Sequence, residues 1–354
     1  MLKRRQFIQR TSTAAITGFL GLTHCTGVSN KKGSKEDVSS FTFDLHCHPG
    51  FFFAKGTDRY PGDEAFIKTV NEMNKGGLSG AFFSTVSDAP IIKITENGVV
   101  PARTFDKGEA WSDYKRQLTI LKDLLGTVNA RIATKLSDLK NDETVAAFIS
   151  CEGGDFIEGM GRLDEAYADG VRSVQLVHYA PNQLGDLQTE ATMHDGLSAL
   201  GKDTVVKMNE LGMVIDVAHA SYEMVKKVAA ATSSPIILSH SILKAEPNRP
   251  IAVRAVTADY AKAVAETGGV IGAWPSGFNS SFDDYIDNIL RLVDVVGIDH
   301  VGLGTDMDAN YKPVFDSYLQ LPDWIKALSK KGLSEDEVKR LAGGNMVRVL
   351  REVL

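Results

Sequence analysis

The segment Phe41-Thr42-Phe43-Asp44-Leu45-His46-Cys47-His48 is a short apolar run that ends in two histidines, both good metal ligands. Five further apolar runs end in the same way, at a residue suited to metal binding or to acid–base chemistry. These residues are Glu152, His178, His219, His240 and Asp306. An eight-stranded (β/α) barrel builds its active site at the C-terminal ends of its parallel strands. The pattern therefore predicts an α/β fold, a single TIM-type (β/α)8 barrel, with its chemistry at one mouth.

Eight runs rich in Val, Ile and Phe are predicted to form the barrel strands, because strands buried on both faces are almost continuously apolar. The runs are residues 41–46, 80–85, 145–150, 171–178, 213–218, 235–239, 269–274 and 300–305. Helical periodicity fills the intervals at residues 63–75, 118–132, 197–211, 222–231, 259–266, 285–296 and 321–330. This alternation predicts a parallel sheet, and eight units predict its closure. The insertion of residues 87–108 is expected to lie over the mouth of the barrel.

Residues 1–25 have the composition of a targeting segment. Arg4-Arg5 precedes a weakly apolar stretch, residues 14–22, that is too short to cross a bilayer. This order resembles a twin-arginine export signal, an address read on folded cargo. Leu22-Thr23-His24-Cys25 resembles a lipoprotein cleavage box and predicts membrane attachment through Cys25. A plain soluble export signal is the alternative, because His24 stands where a small residue is usual.

Residues 26–40 are polar and rich in Lys and Ser, and are predicted to be a flexible tether to a hydrolase barrel of residues 41–354. The protein is thus expected to be exported, and to be either periplasmic or lipid-anchored at a bacterial membrane. The formal charge of −6 becomes −10 without residues 1–24, which hold four basic residues and no acid. This balance argues against a nucleic-acid partner. Cys47 and Cys151 are predicted to pack within the barrel wall rather than to form a disulfide.

Four histidines at strand ends are the strongest signal for a metal. His46 and His48 are two residues apart on a strand, so both side chains point to one face and can share a cation. His219 and His240 end two consecutive apolar runs. A single histidine after a strand is usually a hydrogen-bonded structural residue. Two at the ends of consecutive strands, with two more on the first strand, favour a metal site over that alternative.

Two carboxylates and a fifth histidine complete the candidate site. Glu152 precedes Gly153-Gly154 and can bridge two metals, although a loop acid that caps a helix is the alternative. Asp306 can bind a metal and take a proton from bound water, or it can be an ion-paired loop acid. His178 is either a donor to developing negative charge or a structural residue. Imidazoles with carboxylates suit zinc and related divalent ions, which predicts two divalent metal ions per chain, zinc being the expected metal.

With these residues, the chain resembles the membrane dipeptidase (renal dipeptidase) family of metal-dependent amidohydrolase-like barrels. The resemblance covers most of residues 41–354. The matching segments are Glu152-Gly153-Gly154, the strand of His178, Ile215-Asp216-Val217-Ala218-His219, Ser239-His240-Ser241, Gly268-Gly269-Val270-Ile271-Gly272, Gly302-Leu303-Gly304-Thr305-Asp306 and Leu341-Ala342-Gly343-Gly344-Asn345. One departure lies on the first strand, where the family usually has His-x-Asp and this chain has His46-Cys47-His48. The ligand set is therefore one negative charge poorer, which affects the preferred ion and the acidity of bound water.

The resemblance implies a role for each candidate residue. One metal would be held by His46, His48, Glu152 and Asp306, and the other by Glu152, His219 and His240, with Glu152 as the bridge. By the same resemblance, His178 would contact the substrate carbonyl. Arg254 would bind the substrate carboxylate, with Arg249 as the competing candidate.

The expected function is that of a binuclear zinc hydrolase that cleaves dipeptides through a metal-bridging hydroxide. His178 would support the oxyanion, and Asp306 would pass the water proton to the leaving amine. One alternative is a hydrolase that uses the same metals on an N-acyl amino acid, a lactone or a phosphoester. An alternative of another class is a non-catalytic binding lipoprotein. The family resemblance also suggests a homodimer.

Overall fold

A closed barrel of parallel strands forms the centre of the protein. The computed structural model describes residues 41–96, 98–244 and 253–354. Within these residues the strands are β1 (Phe43–Cys47), β2 (Gly80–Val86), β3 (Ile92–Thr95), β4 (Gly98–Pro101), β5 (Ala130–Ala133), β6 (Val145–Glu152), β7 (Ser173–Gln175), β8 (Val214–Asp216), β9 (Ile236–Leu243), β10 (Ala255–Val256), β11 (Val270–Ala273) and β12 (Val301–Leu303). The barrel order is β1-β2-β6-β7-β8-β9-β11-β12, and the pairing of Asp44 with Leu303 closes the ring. The predicted eight-stranded TIM-type barrel is confirmed.

The helices of the described residues cover the outside of the barrel. They are α1 (Asp63–Gly76), α2 (Glu109–Leu125), α3 (Met160–Ala168), α4 (Ala199–Leu211), α5 (Tyr222–Ala231), α6 (Ala258–Ala265), α7 (Phe282–Val296), α8 (Leu321–Lys330), α9 (Glu335–Lys339) and α10 (Asn345–Val353). Side-chain oxygens cap the first turn of five of them, and the capping residues are Ser198, Ser221, Thr257, Ser281 and Ser334. No helix in the described ranges combines the length and apolarity needed to cross a membrane.

The prediction for residues 118–132 was wrong in its second half. α2 begins earlier, at Glu109, and ends at Leu125. Residues Ala130–Ala133 form β5, which pairs in parallel with the first residues of β6. The reason is tertiary pairing, because this short segment lies beside β6 and forms backbone hydrogen bonds with it, and such context overrides local propensity. The insertion after β2 contains the antiparallel hairpin β3–β4.

An apolar cluster fills the barrel towards the N-terminal ends of the strands. The rings of Phe43, Phe82 and Phe148 contact one another, with centroids 5.4 to 6.1 Å apart. Met346 and Leu350 of α10 belong to the same buried cluster. Residues at the C-terminal ends of the strands therefore stand on a close-packed base.

Two glycines allow an unusually close approach of strands beside the site. A Cβ on Gly272 or on Gly304 would lie 1.8 or 1.9 Å from the carbonyl oxygen of Ser239. Both positions therefore require glycine. This close packing of β9 against its neighbours determines where His240, the next residue, can stand.

Candidate metal centre

The structure brings all six predicted metal ligands together at the C-terminal ends of the barrel strands. They are His46, His48, Glu152, His219, His240 and Asp306, and all six are buried. Three overlapping groups have ligand atoms within 4.8 Å of one another, namely His46-Glu152-His240, His46-His48-Asp306 and Glu152-His178-His219. The pattern of ligands at successive strand ends thus produces one cluster, as parallel strands of a closed barrel require.

The carboxylate of Glu152 lies at the centre of the cluster and uses both oxygens. Its Oε2 is 3.2 Å from His48 Nε2. Its Oε1 faces the Nε2 atoms of three other histidines at 3.4, 3.4 and 3.8 Å, those of His46, His219 and His240. Asp306 Oδ1 approaches His48 Nε2 at 3.4 Å from the other side. A carboxylate whose two oxygens face different imidazoles has the arrangement of a ligand shared by two cations.

The outward ring nitrogens of three candidate ligands have hydrogen-bond partners, whereas Nδ1 of His219 has none among the described residues. His48 Nδ1 donates to the carbonyl of Ser84 at 2.8 Å, which assigns one proton to Nδ1. His46 Nδ1 is 3.2 Å from the hydroxyl of Ser84, and His240 Nδ1 is 3.0 Å from that of Ser239. Ring orientation by such partners is typical of metal-binding histidines.

The inward nitrogens approach one another more closely than unprotonated rings favour. The Nε2 atoms of His46 and His48 are 3.0 Å apart, and those of His219 and His240 are 3.1 Å apart. Two lone pairs at this distance need either a shared proton or a cation between them. The donor set of imidazoles and carboxylates therefore fits divalent metal ions of the zinc type.

The electrostatics of the cluster also favour metal binding. Burial, with the neighbouring positive charge of Arg254 or of other histidines, holds the pKa values of His219 and His240 well below the ordinary range, so both rings are neutral. Burial alone would raise the pKa of Glu152, but the surrounding histidines outweigh it and hold that pKa well below its usual range. Burial lowers the pKa of His48, yet hydrogen bonds to Asp306 and Glu152 raise it to about 10. A cation at this position would replace that ring's second proton.

Two of the candidate ligands have a left-handed backbone conformation. His219 has φ 65° and Asp306 has φ 53°. Such residues cost on the order of 1–3 kcal/mol and persist where the surroundings hold them. Here the N–H of Asp306 donates to the carbonyl of His46 at 2.9 Å, and the carbonyl of His219 accepts from the N–H of Gln188 at 2.8 Å. The turn after each strand thus directs a ligand back over the barrel mouth.

His178 lies beside the cluster and is held by Asp88, a residue that the sequence analysis missed. His178 Nδ1 donates to Asp88 Oδ1 at 2.6 Å, and His178 Nε2 is 3.4 Å from Glu152 Oε1. Asp88 Oδ2 accepts the N–H groups of Tyr179 and Ala180. Burial lowers the pKa of His178, but the charges of Asp88 and Glu152 outweigh it and raise that pKa. A signal was available, because Asp88 also follows a buried strand, β2.

Arg254 also reaches the cluster. Its Nη2 is 3.4 Å from His240 Nε2, and its Nη1 donates to Gln188 Oε1 at 2.7 Å. The guanidinium lies near the rings of Tyr179 and Trp274. The competing candidate, Arg249, and the proposed lipidation site, Cys25, lie outside the described residues.

Three other buried residues lie near the site, one carboxylate and two thiols. Asp44 accepts the backbone N–H groups of His46 and Thr305 and the hydroxyl of Tyr318, and so joins β1 to β12. Cys47 and Cys151 are both buried free thiols.

A closed parallel barrel with this ligand cluster at its strand ends defines a metal-dependent, amidohydrolase-like enzyme. The chain belongs to the membrane dipeptidase family, Peptidase family M19, whose model matches residues 40–354. Within that family it is a metal-dependent dipeptidase-like enzyme.

Curated relatives and solved structures agree with this membership. Dipeptidase verJ of Clonostachys rogersoniana is 26% identical over 298 residues, which cover 80% of this chain and 75% of the relative. Dipeptidase aclJ of Aspergillus oryzae is 31% identical over 221 residues, 59% of this chain and 52% of the relative. A metallopeptidase from Rhodobacter sphaeroides, solved with a phosphinate mimic of L-Ala-D-Ala, has the same fold, with a TM-score of 0.72, 19% identity, and coverage of 89% of this chain and 99% of that one.

Proposed function

We propose that this protein is a binuclear, zinc-dependent dipeptidase. The observation that carries the proposal is the position of Glu152, whose two oxygens face different imidazoles within one buried cluster. The first ion would be held by His46, His48, Glu152 and Asp306. The second would be held by Glu152, His219 and His240. Two such ions would supply an activated water as the nucleophile and Lewis-acid polarisation of the scissile carbonyl.

Asp306 is proposed as the residue that moves the proton. Its side chain is the most exposed of the six ligands, since 8% of the residue's surface is accessible, and so it faces the space where substrate enters. A carboxylate there can accept the proton of the attacking water and pass it to the leaving amine. His178 is proposed to stabilise the negative charge on the former carbonyl oxygen. Its raised pKa favours the protonated ring, whose Nε2–H can donate.

Arg254 is proposed to bind the free carboxylate of the substrate. Its guanidinium reaches within 3.4 Å of His240 Nε2, so a carboxylate on Arg254 would lie beside the metal ligands. That short distance leaves room for about one residue between the scissile carbonyl and the carboxylate, since one residue spans about 3.3–3.6 Å. The site would therefore favour dipeptides over longer peptides. The names of the curated relatives, which are dipeptidases, support this substrate class.

The test combines metal analysis with a panel of L,L, L,D and D,L dipeptides. We expect up to two zinc ions per chain, hydrolysis of at least one dipeptide, and loss of activity after chelation. Glu152→Gln should lose both metal and activity. Hydrolysis of lactones or phosphoesters without any dipeptide cleavage would point to another substrate, and tight dipeptide binding by metal-free, inactive protein would point to a binding lipoprotein.

Export and membrane attachment are also proposed, on the sequence of residues 1–25 alone. The twin arginine predicts passage in the folded state, and Cys25 would carry lipid; stable anchoring needs two or more acyl chains. Fractionation of wild type and Cys25→Ala tests the anchor, because equal recovery in the soluble periplasmic fraction would contradict it. Intact export of the variant with Arg4→Lys and Arg5→Lys would contradict the twin-arginine route.

A homodimer is proposed by family resemblance, and its mass in solution is the test.

A further inference from the structure

Arg254 is a buried cation whose closest partner is neutral. Only 3% of its surface is exposed, and its Nε has no hydrogen-bond partner among the described residues. Its Nη1 donates to the amide oxygen of Gln188 at 2.7 Å. Within the described ranges, no carboxylate forms an ion pair with it. Because an unpaired buried charge is costly, the guanidinium is expected to favour an anion that the described residues do not provide.

Gln188 is held firmly where it meets the guanidinium. Its backbone N–H donates to the carbonyl of His219 at 2.8 Å, and the preceding residue, Leu187, pairs with Ala220. The loop that carries Gln188 is also fastened by Asp186. The carboxylate of Asp186 accepts three backbone N–H groups of the same loop, at 2.6 to 2.9 Å. The side chain of Gln188 therefore starts from a backbone anchored to the segment of a metal-ligand candidate.

We infer that Gln188 is a positioning residue that determines the specificity of this enzyme for substrates with a free carboxylate. Its amide oxygen orients the guanidinium of Arg254 without neutralising its charge. The full positive charge is thereby reserved for the carboxylate of the bound dipeptide. The inference rests on the proposed function, in which Arg254 is the carboxylate anchor.

The chemistry of the side chain explains why an amide suits this position. A glutamate of nearly the same shape would form a charge-assisted bond with Arg254, about twice as strong as the neutral one. That carboxylate would compete with the substrate carboxylate for the same donors. An apolar side chain would leave the charge available but would remove the bond that orients the planar guanidinium.

The test compares a dipeptide with its C-terminal amide on wild type, on Arg254→Met and on three further variants. For Gln188→Glu, we expect KM for the free acid to rise about tenfold or more, with kcat and the KM of the amide within about twofold of wild type. Gln188→Met should raise KM for the free acid by a smaller factor, about threefold. Met193→Glu is the matched control, because it adds the same charge at a 65% exposed position of the same loop, and it should change neither KM. Zinc content is measured for every variant.

The outcomes separate this inference from the proposed anchor. If both Gln188 variants keep the wild-type KM for the free acid while Arg254→Met raises it, the role of Gln188 is wrong and the anchor stands. If Arg254→Met leaves the preference for free acid over amide unchanged, the anchor itself is wrong. If Gln188→Glu loses activity towards both substrates, Gln188→Met becomes the test of the inference. An unchanged KM for the free acid in Gln188→Met would then overturn the inference.

Discussion

Asp88→Asn is expected to lower kcat by roughly tenfold to a hundredfold, with little change in zinc content or KM. The carboxylate of Asp88 receives three donors, the ring N–H of His178 at 2.6 Å and the backbone N–H groups of Tyr179 and Ala180 at 3.0 and 2.8 Å. Asparagine has one acceptor oxygen and one NH2 group. Either the ring or the two backbone groups would therefore face a donor instead of an acceptor.

The size of the effect follows from the bond that is lost. A hydrogen bond to a charged group contributes about 1.5–3 kcal/mol, and each 1.4 kcal/mol of barrier corresponds to about a factor of ten in rate. Without the negative charge of Asp88, the pKa of His178 also loses one of the influences that raise it. The ring would then be a weaker donor to the oxyanion. Asp88 acts through His178, so the loss cannot exceed that of His178→Ala.

A double-mutant cycle measures this coupling. We would compare kcat for wild type, Asp88→Asn, His178→Ala and the double variant, and we expect the double variant to be no slower than His178→Ala. Asp106→Asn is the control, since Asp106 is an exposed acid of the same insertion. The reasoning is refuted if Asp88→Asn turns over at the wild-type rate, or if the two losses multiply in full.

Three further predictions concern stability. Adding zinc to protein from which metal has been removed by a chelator should raise the melting temperature. A ligand at a hundred times its Kd adds about 2.7 kcal/mol to the free energy of unfolding. Glu152→Gln should abolish this rise in a calorimetric scan. Asp186→Asn should lower the free energy of unfolding by about 1–3 kcal/mol in urea at pH 7. Burial would raise the pKa of Asp186, but three backbone N–H groups outweigh it and lower that pKa, so the difference in stability between wild type and variant should shrink as pH falls below about 4. A stability difference that grows at low pH would contradict this. Gly304→Ala should prevent folding, because its Cβ would meet the carbonyl of Ser239 at 1.9 Å. Gly161→Ala, in open space within α3, should be neutral or stabilising by up to about 1 kcal/mol. Equal solubility of the two variants would contradict the packing argument.

The barrel and the convergence of the ligands could be predicted because both depend on local signals. Each ligand follows a short apolar run, and the ends of parallel strands meet at one mouth. The helix predicted for residues 118–132 was wrong because the pairing of β5 with β6 is a tertiary contact. α3 was missed because it is a short helix of nine residues with a glycine at its second position. Helices and strands with a long periodic pattern could be predicted from the sequence. Short elements that depend on pairing with a neighbouring strand could not.

The residues that support the site were harder to predict than those at its centre. Asp88 and Gln188 lie in loops without periodicity, and their roles depend on contacts with residues 90 and 66 positions away. Asp44 likewise acts through contacts that only folding creates, because it accepts the backbone N–H groups of His46 and Thr305. Histidines and carboxylates that bind metals can be recognised in a sequence by their residue type and position. A carboxylate that orients a histidine, or an amide that orients an arginine, does so only after folding brings the partner to it.

The two ends of the barrel divide the requirements of stability and chemistry. The N-terminal end is filled by aromatic rings such as Phe43 and Phe148, whose packing needs no polar partner. The C-terminal end buries imidazoles whose Nε2 atoms are 3.0 Å apart and holds His219 and Asp306 in left-handed backbone conformations, and both features cost free energy. Bound cations would offset the cost of the close imidazoles. The packing of the apolar base involves no metal ligand. It can therefore support a mouth whose close imidazoles become favourable when metal binds. The same separation explains why substitutions of the ligands at the mouth are expected to change metal content and turnover while the packing of the aromatic base stays intact.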